Sequence, residues 1–425
     1  VLISSAIPDD NPEVVEAARL GIPVYRRSEF LGRPMAQIIG ETVCIAVAGT
    51  HGKTTTTSMI AWILSCAGED PTFIVGGVIR SLGTNARAGS GPHFVIEADE
   101  YDRMFLGLSP TVAAITHLEH DHPDCFPTFA DMRSAFEQFV NLVPPQGMLV
   151  GCGDHPAVAT LLESARGREG AVDTIQSCGL ECTNDWRATK VRPNDFGGHD
   201  FGVRVTGGKG MSDSRQAWGT VRLKAPGIHN VRNALVALAI AHWLGIGRDT
   251  IIDALSTFPG VKRRFEVRTL PRSLSGDQPG QDQLVVVDDY GHHPTEIRAT
   301  LSAARARYGP RPIWAVFQPH TYSRLRTLWH DFRSSFGDAD HVIVLDVYSA
   351  REQGTLGDSA SDLASSLVTE MVHKDVQHIG DVKGAAEHIV ARAEPNAVVI
   401  TLSAGDGNHV GELVLSLWKS RRKRG

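Results

Sequence analysis

The chain has 425 residues, 42% of them hydrophobic and 21% charged, with a formal net charge of −6 at pH 7. That length exceeds one ordinary core and implies two or three domains. The acidic balance excludes a general nucleic-acid binder, which needs a basic face, and no apolar run approaches a membrane span.

Val1-Leu2-Ile3 reads as a short buried strand, Pro12 to Leu20 as a helix and Pro23-Val24-Tyr25 as a second strand. About forty residues cannot build a core alone, so this is a fragment of an α/β unit. The opening has no basic leader and no cleavage site, and the first residue is not Met, so the start is expected to be missing. Thr42 to Ala48 is a compact strand, followed by a glycine-threonine loop and a helix from Thr54 to Ala67. Further buried strands are legible at His93–Ile96 and Thr111–Thr116. Residues 183 to 224 alternate short strands and form an antiparallel edge of the same domain. After Phe265 the pattern restarts at Leu284–Val287, Ile313–Phe317, Val342–Leu345 and Ala397–Thr401, behind a surface loop from Ser273 to Gln283. Strands alternating with helices predict an α/β protein with parallel, doubly wound sheets, whose ligands sit beyond the carboxyl ends of the strands. The expected order is a partial α/β unit (1–40), a central P-loop ATPase-type domain (41–262) and a Rossmann-like C-terminal domain (263–425), with a hinge near Gly260–Arg263. Six scattered cysteines without zinc spacing fit a reducing compartment and a cytoplasmic location. The basic end from Lys419 to Arg424 reads as a solvated tail.

Gly49-Thr50-His51-Gly52-Lys53-Thr54-Thr55 lies between a strand and a helix. Glycines let backbone N–H groups turn toward phosphate oxygens, and the helix N-terminus adds its positive dipole end. Lys53 supplies a cation for the β and γ phosphates, and the Thr54 hydroxyl is a suitable magnesium ligand. Val47 stands where the strict GxxxxGK[ST] pattern has its first glycine. Two later strands end in polar clusters, Glu97-Ala98-Asp99-Glu100-Tyr101-Asp102 and His117-Leu118-Glu119-His120-Asp121-His122-Pro123-Asp124. Their oxygen-rich donors and imidazoles suit Mg2+ beside the phosphate loop.

These three segments together resemble the central domain of the Mur ligases. His229-Asn230-Val231-Arg232-Asn233-Ala234 resembles the family's adenine-side segment, and Lys262-Arg263-Arg264-Phe265-Glu266 its junction to the third domain. Asp288-Asp289-Tyr290-Gly291-His292-His293-Pro294-Thr295-Glu296 and Phe317-Gln318-Pro319-His320-Thr321-Tyr322-Ser323-Arg324 are similar to the branch that adds L-alanine. The resemblance implies ligation of L-alanine to the carboxylate of UDP-N-acetylmuramate, driven by ATP through an acyl-phosphate, by a monomer or weak homodimer. It implies that Lys53 and Thr54 hold ATP and one Mg2+, that Glu97 and His122 hold a second, and that Asn230 and Asn233 face the adenine. It further implies that Arg264 and Asp289 reach the nucleotide, that Tyr290, His292 and Arg324 frame the amino acid, and that Thr84-Asn85 lies in a loop touching the muramyl group. Thr321 departs from the Arg that many relatives carry there, and the glycine-rich turn that opens the family's UDP-sugar-binding domain is not found. His292 is a candidate proton acceptor, since imidazole titrates near neutrality. Other readings are a relative that attaches a recycled tripeptide, and a remnant that binds ATP without catalysis.

Overall fold

The computed structural model describes residues 1–4, 7–31, 42–168, 170–206, 218–269, 283–350, 352, 359–373 and 375–422. The expected loop at 273–282 and the last residues of the basic tail lie outside these. The chain forms two compact units, Val1–Lys224 with His229–Val261, and Lys262–Gly425 with Ala225–Ile228.

In the first unit, β1 (Leu2–Ile3) and β2 (Tyr25–Arg26) pair in parallel around helix α1 (Pro12–Arg19) and precede the short α2 (Arg27–Leu31). Asn11 caps α1 by accepting from the Glu13 N–H, and Pro12 sits at the helix start where its missing N–H costs nothing. The main sheet is built on β3 (Val43–Ala48), β4 (Thr72–Ile79), β5 (Thr84–Arg87), β6 (His93–Glu97), β7 (Val112–Ile115), β8 (Met148–Cys152) and β9 (Thr174–Gly179). It is extended by β10 (Trp186–Pro193), β11 (His199–Val205) and β12 (Gly219–Leu223). The strand order is β12-β11-β10-β9-β8-β7-β3-β6-β4-β5. Pairing is parallel from β10 to β4 and antiparallel at β10-β11-β12 and at β4-β5.

Helices α3 (Lys53–Cys66), α4 (Phe129–Val140), α5 (Pro156–Arg166), α6 (Ile228–Trp243) and α7 (Arg248–Thr257) complete this unit. Cys44, Ala46 and Ala48 join a core with Phe105, Phe136, Phe139 and Leu162, while the alternate residues Ile45 and Val47 are buried on the opposite face. A strand buried on both faces is the signature of a parallel sheet covered by helices on each side.

The second unit holds a sheet ordered β13 (Glu266–Thr269), β14 (Val285–Asp289), β18 (Val398–Leu402), β15 (Ile313–Phe317), β16 (His341–Val344), β17 (Val376–His378). β13 runs antiparallel to β14 and the other pairs are parallel. Its helices are α8 (Pro294–Tyr308), α9 (Tyr322–Thr327), α10 (Trp329–Arg333), α11 (Ala360–Glu370), α12 (Val382–Arg392) and α13 (His409–Arg422). Val285, Val287, Ala315, Phe317 and Ile400 pack on one face, and Val286, Trp314, Val316 and Val399 on the other. Both units are thus doubly wound α/β layers, as the strand-helix alternation predicts.

Candidate active site

In the first unit the site is built where β3 turns into α3. β3 continues through Ala48, so Val47 is a buried strand residue and the turn is the tetrapeptide Gly49–Gly52. Gly49 (φ 130°) and Gly52 (φ 83°) adopt backbone conformations that side chains resist. A Cβ on Gly49 would stand 2.3 Å from Thr116 Oγ1, and one on Gly52 would stand 2.6 Å from Asn233 Oδ1. The loop therefore packs between the end of β7 and the second turn of α6. The Thr116 hydroxyl donates to the Ala48 and His51 carbonyls and pins the loop from below. The Thr50 N–H donates to His117 O at 2.9 Å, and the Thr50 hydroxyl lies 3.1 Å from His117 Nδ1. His51 is bonded to the Glu119 carboxylate.

Lys53 opens α3. Its Nζ donates to Gly49 O at 2.6 Å and to Glu100 Oε1 at 2.7 Å. Burial alone would lower the ammonium's pKa, but the Glu100, Asp99 and Glu97 carboxylates outweigh it and hold the pKa above its ordinary value. Glu100 is fully buried, and its Oε2 has no hydrogen-bond partner among the described residues. His122, at φ 53°, directs Nε2 to within 3.7 Å of Glu100 Oε1, and its ring sits edge-on to Tyr101. Glu97 accepts from the Thr54 hydroxyl at 2.9 Å and from the Gly76 N–H at 2.6 Å. A buried carboxylate oxygen without a donor is costly unless something positive meets it. Hard oxygen donors and one imidazole beside a phosphate loop fit Mg2+.

Lys53, Thr54, Glu97 and His122 thus come together in the first unit as expected, and Glu100 joins them. Glu100 was visible in its acidic cluster, and the turn that follows holds Asp102 and Arg103 at left-handed φ values of 55° and 53°. Thr55 is half-buried on the first turn of α3. Asn230 and Asn233 are buried one turn apart in α6, with Asn233 Nδ2 donating to Asn230 Oδ1 at 3.1 Å. Thr84 and Asn85 begin the edge strand β5 rather than a loop, because Thr84 pairs with Ile79 across a hairpin. Thr116, His117 and Glu119 support the loop through pairing of β3 with β7, a long-range contact that no local pattern announces.

In the second unit the candidates gather at the carboxyl ends of β14, β15 and β18. Both Asp289 oxygens accept backbone N–H groups, from Phe265 at 2.8 Å and from Gly291 at 2.7 Å. Burial nevertheless pushes this carboxyl above its ordinary value. Tyr290 lies under two guanidiniums, those of Arg263 and Arg264, each 5.2 Å from the ring centre. Arg264 also pairs with Glu296 at 3.5 Å. His292 Nδ1 lies 3.0 Å from Tyr290 O, and the His292 ring is 5.5 Å from that of His320. Arg324 is 3% exposed, and its Nη1 lies 3.1 Å from His320 Nδ1. Tyr290, His292 and Arg324 therefore share one edge with His320, and Tyr348 stacks on His320 at 5.8 Å. Arg264 and Asp289 stand at the same edge, at the β13–β14 end.

A phosphate loop with a buried lysine–carboxylate–imidazole cluster, and a second α/β unit with basic and imidazole groups at its strand ends, are the marks of a nucleotide-dependent ligase. The chain matches the Mur ligase middle domain over residues 47–241, the Mur ligase glutamate ligase domain over 263–405 and the Mur ligase family catalytic domain over 2–38. It belongs to the Mur ligase family. It is similar to the UDP-N-acetylmuramate–L-alanine ligase of Geobacter sp. (strain M21), at 43% identity over 427 residues, covering 100% of this chain and 85% of that protein. The ligase of the same name from Frankia casuarinae is 46% identical over 374 residues, covering 85% and 72%. Among solved structures, the UDP-N-acetylmuramate-alanine ligase of Thermotoga maritima superposes with a TM-score of 0.75 at 25% identity, covering 99% of this chain and 85% of that one.

Proposed function

We propose that this protein joins L-alanine to the carboxylate of UDP-N-acetylmuramate, converting ATP to ADP and phosphate, as a step in making peptidoglycan precursors. The observation that carries the reading is the Lys53–Glu100–His122 cluster beside the phosphate loop. Its setting is a chain 43% identical along its whole length to an enzyme named for that reaction.

A carboxylate does not react with an amine, because the leaving group would be oxide. One carboxylate oxygen first attacks the γ-phosphorus of ATP, and the bond from that phosphorus to ADP breaks. The acyl-phosphate so formed carries a good leaving group. Lys53 exchanges the Gly49 carbonyl for phosphoryl oxygens, and the loop N–H groups and the start of α3 meet the remaining charge. Glu100, His122, Thr54 and Glu97 are the residues that would hold magnesium. When bound, the metal neutralises phosphoryl charge.

In the second unit Arg324 takes the alanine carboxylate, a geometry its planar fork suits. His292 holds a proton on Nδ1 for the Tyr290 carbonyl, which leaves the lone pair on Nε2. That atom accepts the proton lost when the amine attacks the acyl carbon and phosphate departs. Arg264, Tyr290 and Asp289 form the third segment of the site, with Asp289 acting through the turn it fastens. Asn230 and Asn233 meet the adenine. Thr84, half-buried, and Asn85, exposed, meet the muramyl group from the edge strand β5. The partners are these small molecules and the location is the cytoplasm. No helix among the described residues is long and apolar enough to cross a membrane.

The test is product analysis with free L-alanine against a stem tripeptide, each with ATP, magnesium and UDP-N-acetylmuramate. Alanine adduct with equimolar ADP is expected, and exclusive use of the tripeptide would assign the chain to a different reaction of the family.

A further inference from the structure

The geometry points to Glu352 as a positioning residue for the amino-acid site, one that fixes the short helix bearing Arg324. α9 begins in an unusual way. Its N-cap, Thr321, has φ 63° and supplies no side-chain cap. The first N–H groups of the helix are satisfied instead by a carboxylate from about thirty residues further on. Glu352 Oε2 accepts from the Tyr322 N–H at 2.5 Å and from the Ser323 N–H at 3.2 Å, and Oε1 accepts from the Ser323 hydroxyl. A carboxylate is the strongest cap for these donors, because its charge also complements the helix's positive end.

The same two segments are fastened at a second point. The Tyr348 N–H donates to Pro319 O at 2.8 Å, the Thr321 N–H donates to Tyr348 O at 2.9 Å, and the His320 and Tyr348 rings stack. The chain from Pro319 to Arg324 is therefore held at both its bend and its helix start by the chain from Tyr348 to Glu352. Arg324 lies inside that bracket, almost fully buried, with its guanidinium against His320. A guanidinium can meet a small carboxylate in two-point fashion only if its fork is held in one place. Glu352 supplies that hold without touching the amino acid.

The proposal rests on the reading of Arg324 as the alanine-carboxylate group. Its test is the steady-state kinetics of Glu352→Gln, Ser323→Ala, Arg324→Lys and the Glu352→Gln/Arg324→Lys double variant. KM for L-alanine is measured apart from KM for ATP, alongside the thermal midpoint of each protein. Glu352→Gln is expected to raise KM for alanine about tenfold while KM for ATP moves less than about twofold. Ser323→Ala, which removes one leg of the bracket, is expected to raise it by a smaller factor. The double variant should be no worse than Arg324→Lys alone, since both act through one guanidinium. An unchanged alanine KM in Glu352→Gln, with Arg324→Lys impaired, overturns the positioning role alone. A uniform rise in every KM, or a collapsed midpoint, overturns it in favour of a merely structural cap. An unchanged alanine KM in Arg324→Lys removes the underlying reading and the proposal with it.

Discussion

The two strand-end regions carry similar residues and use them differently. Around the phosphate loop, polar groups are paired with one another and remain incomplete: Lys53 leans on a carbonyl and on Glu100, and Glu100 keeps one buried oxygen without a donor among the described residues. At the end of β14, Asp289 is also a buried carboxylate, yet both its oxygens are filled by backbone N–H groups, of Phe265 and Gly291. Glu296 likewise accepts from the His292 N–H at 3.0 Å. An acidic residue with an unfilled oxygen is poised for a ligand, whereas one that its own backbone has completed is shaping the loop that other residues work from.

The largest effect expected from this contrast is at Lys53. Lys53→Ala should lower kcat by about a thousandfold with the fold intact, as circular dichroism and a stopped-time ADP assay would show. Glu100→Gln should cost about a hundredfold in kcat and weaken magnesium dependence, against about tenfold for Glu97→Gln, whose oxygens already serve Thr54 and Gly76. Equal losses at the two positions would erase the distinction drawn between them. Asp289→Asn should instead lower stability by about 1–3 kcal/mol in a denaturant titration and leave KM for ATP within about twofold. A large rise in that KM with unchanged stability would move Asp289 from the turn to the ligand.

The smallest effect separates the units by pH. Burial lowers the pKa of His93, His155, His199 and His242 in the first unit, and of His388 in the second. A depressed histidine is neutral when folded, so its contribution is complete above the ordinary value and is lost as pH falls through the folded one. In the second unit Asp375, held below its ordinary value by the His341 hydrogen bond, gives up its contribution only in the acid range below about pH 4. Between pH 7 and 5.5 the first unit's thermal midpoint should fall by about 2–4 °C more than the second's, measured by calorimetry. Coincident shifts would contradict this.

Much of this was legible in sequence because the signals were local. Strand Ile313–Phe317 falls where its apolar run ends, and the glycine-lysine turn sits between strand and helix as its residue order requires. The antiparallel edge near residues 183–224 appears as β10, β11 and β12. The edge hairpin β4–β5 has no clear sequence signal, so Thr84 and Asn85 read as a loop although they begin a strand. Glu97 was legible at its strand end, and Glu100, fully buried beside Lys53, adds to it. The two are three residues apart, and the contact of Glu100 with Lys53 spans 47 residues, beyond any local pattern. Glu352 had no local signal, since its partners lie about thirty residues away.

In the proposed reaction, phosphoryl transfer is coupled to amide formation with L-alanine. The most direct measurement is ADP release from ATP in the presence of magnesium and UDP-N-acetylmuramate, with and without L-alanine, with the product mass determined in parallel. ADP release is expected to require both substrates and to match UDP-N-acetylmuramoyl-L-alanine one for one. ATP binding without ADP release, or ADP release indifferent to alanine, would contradict it.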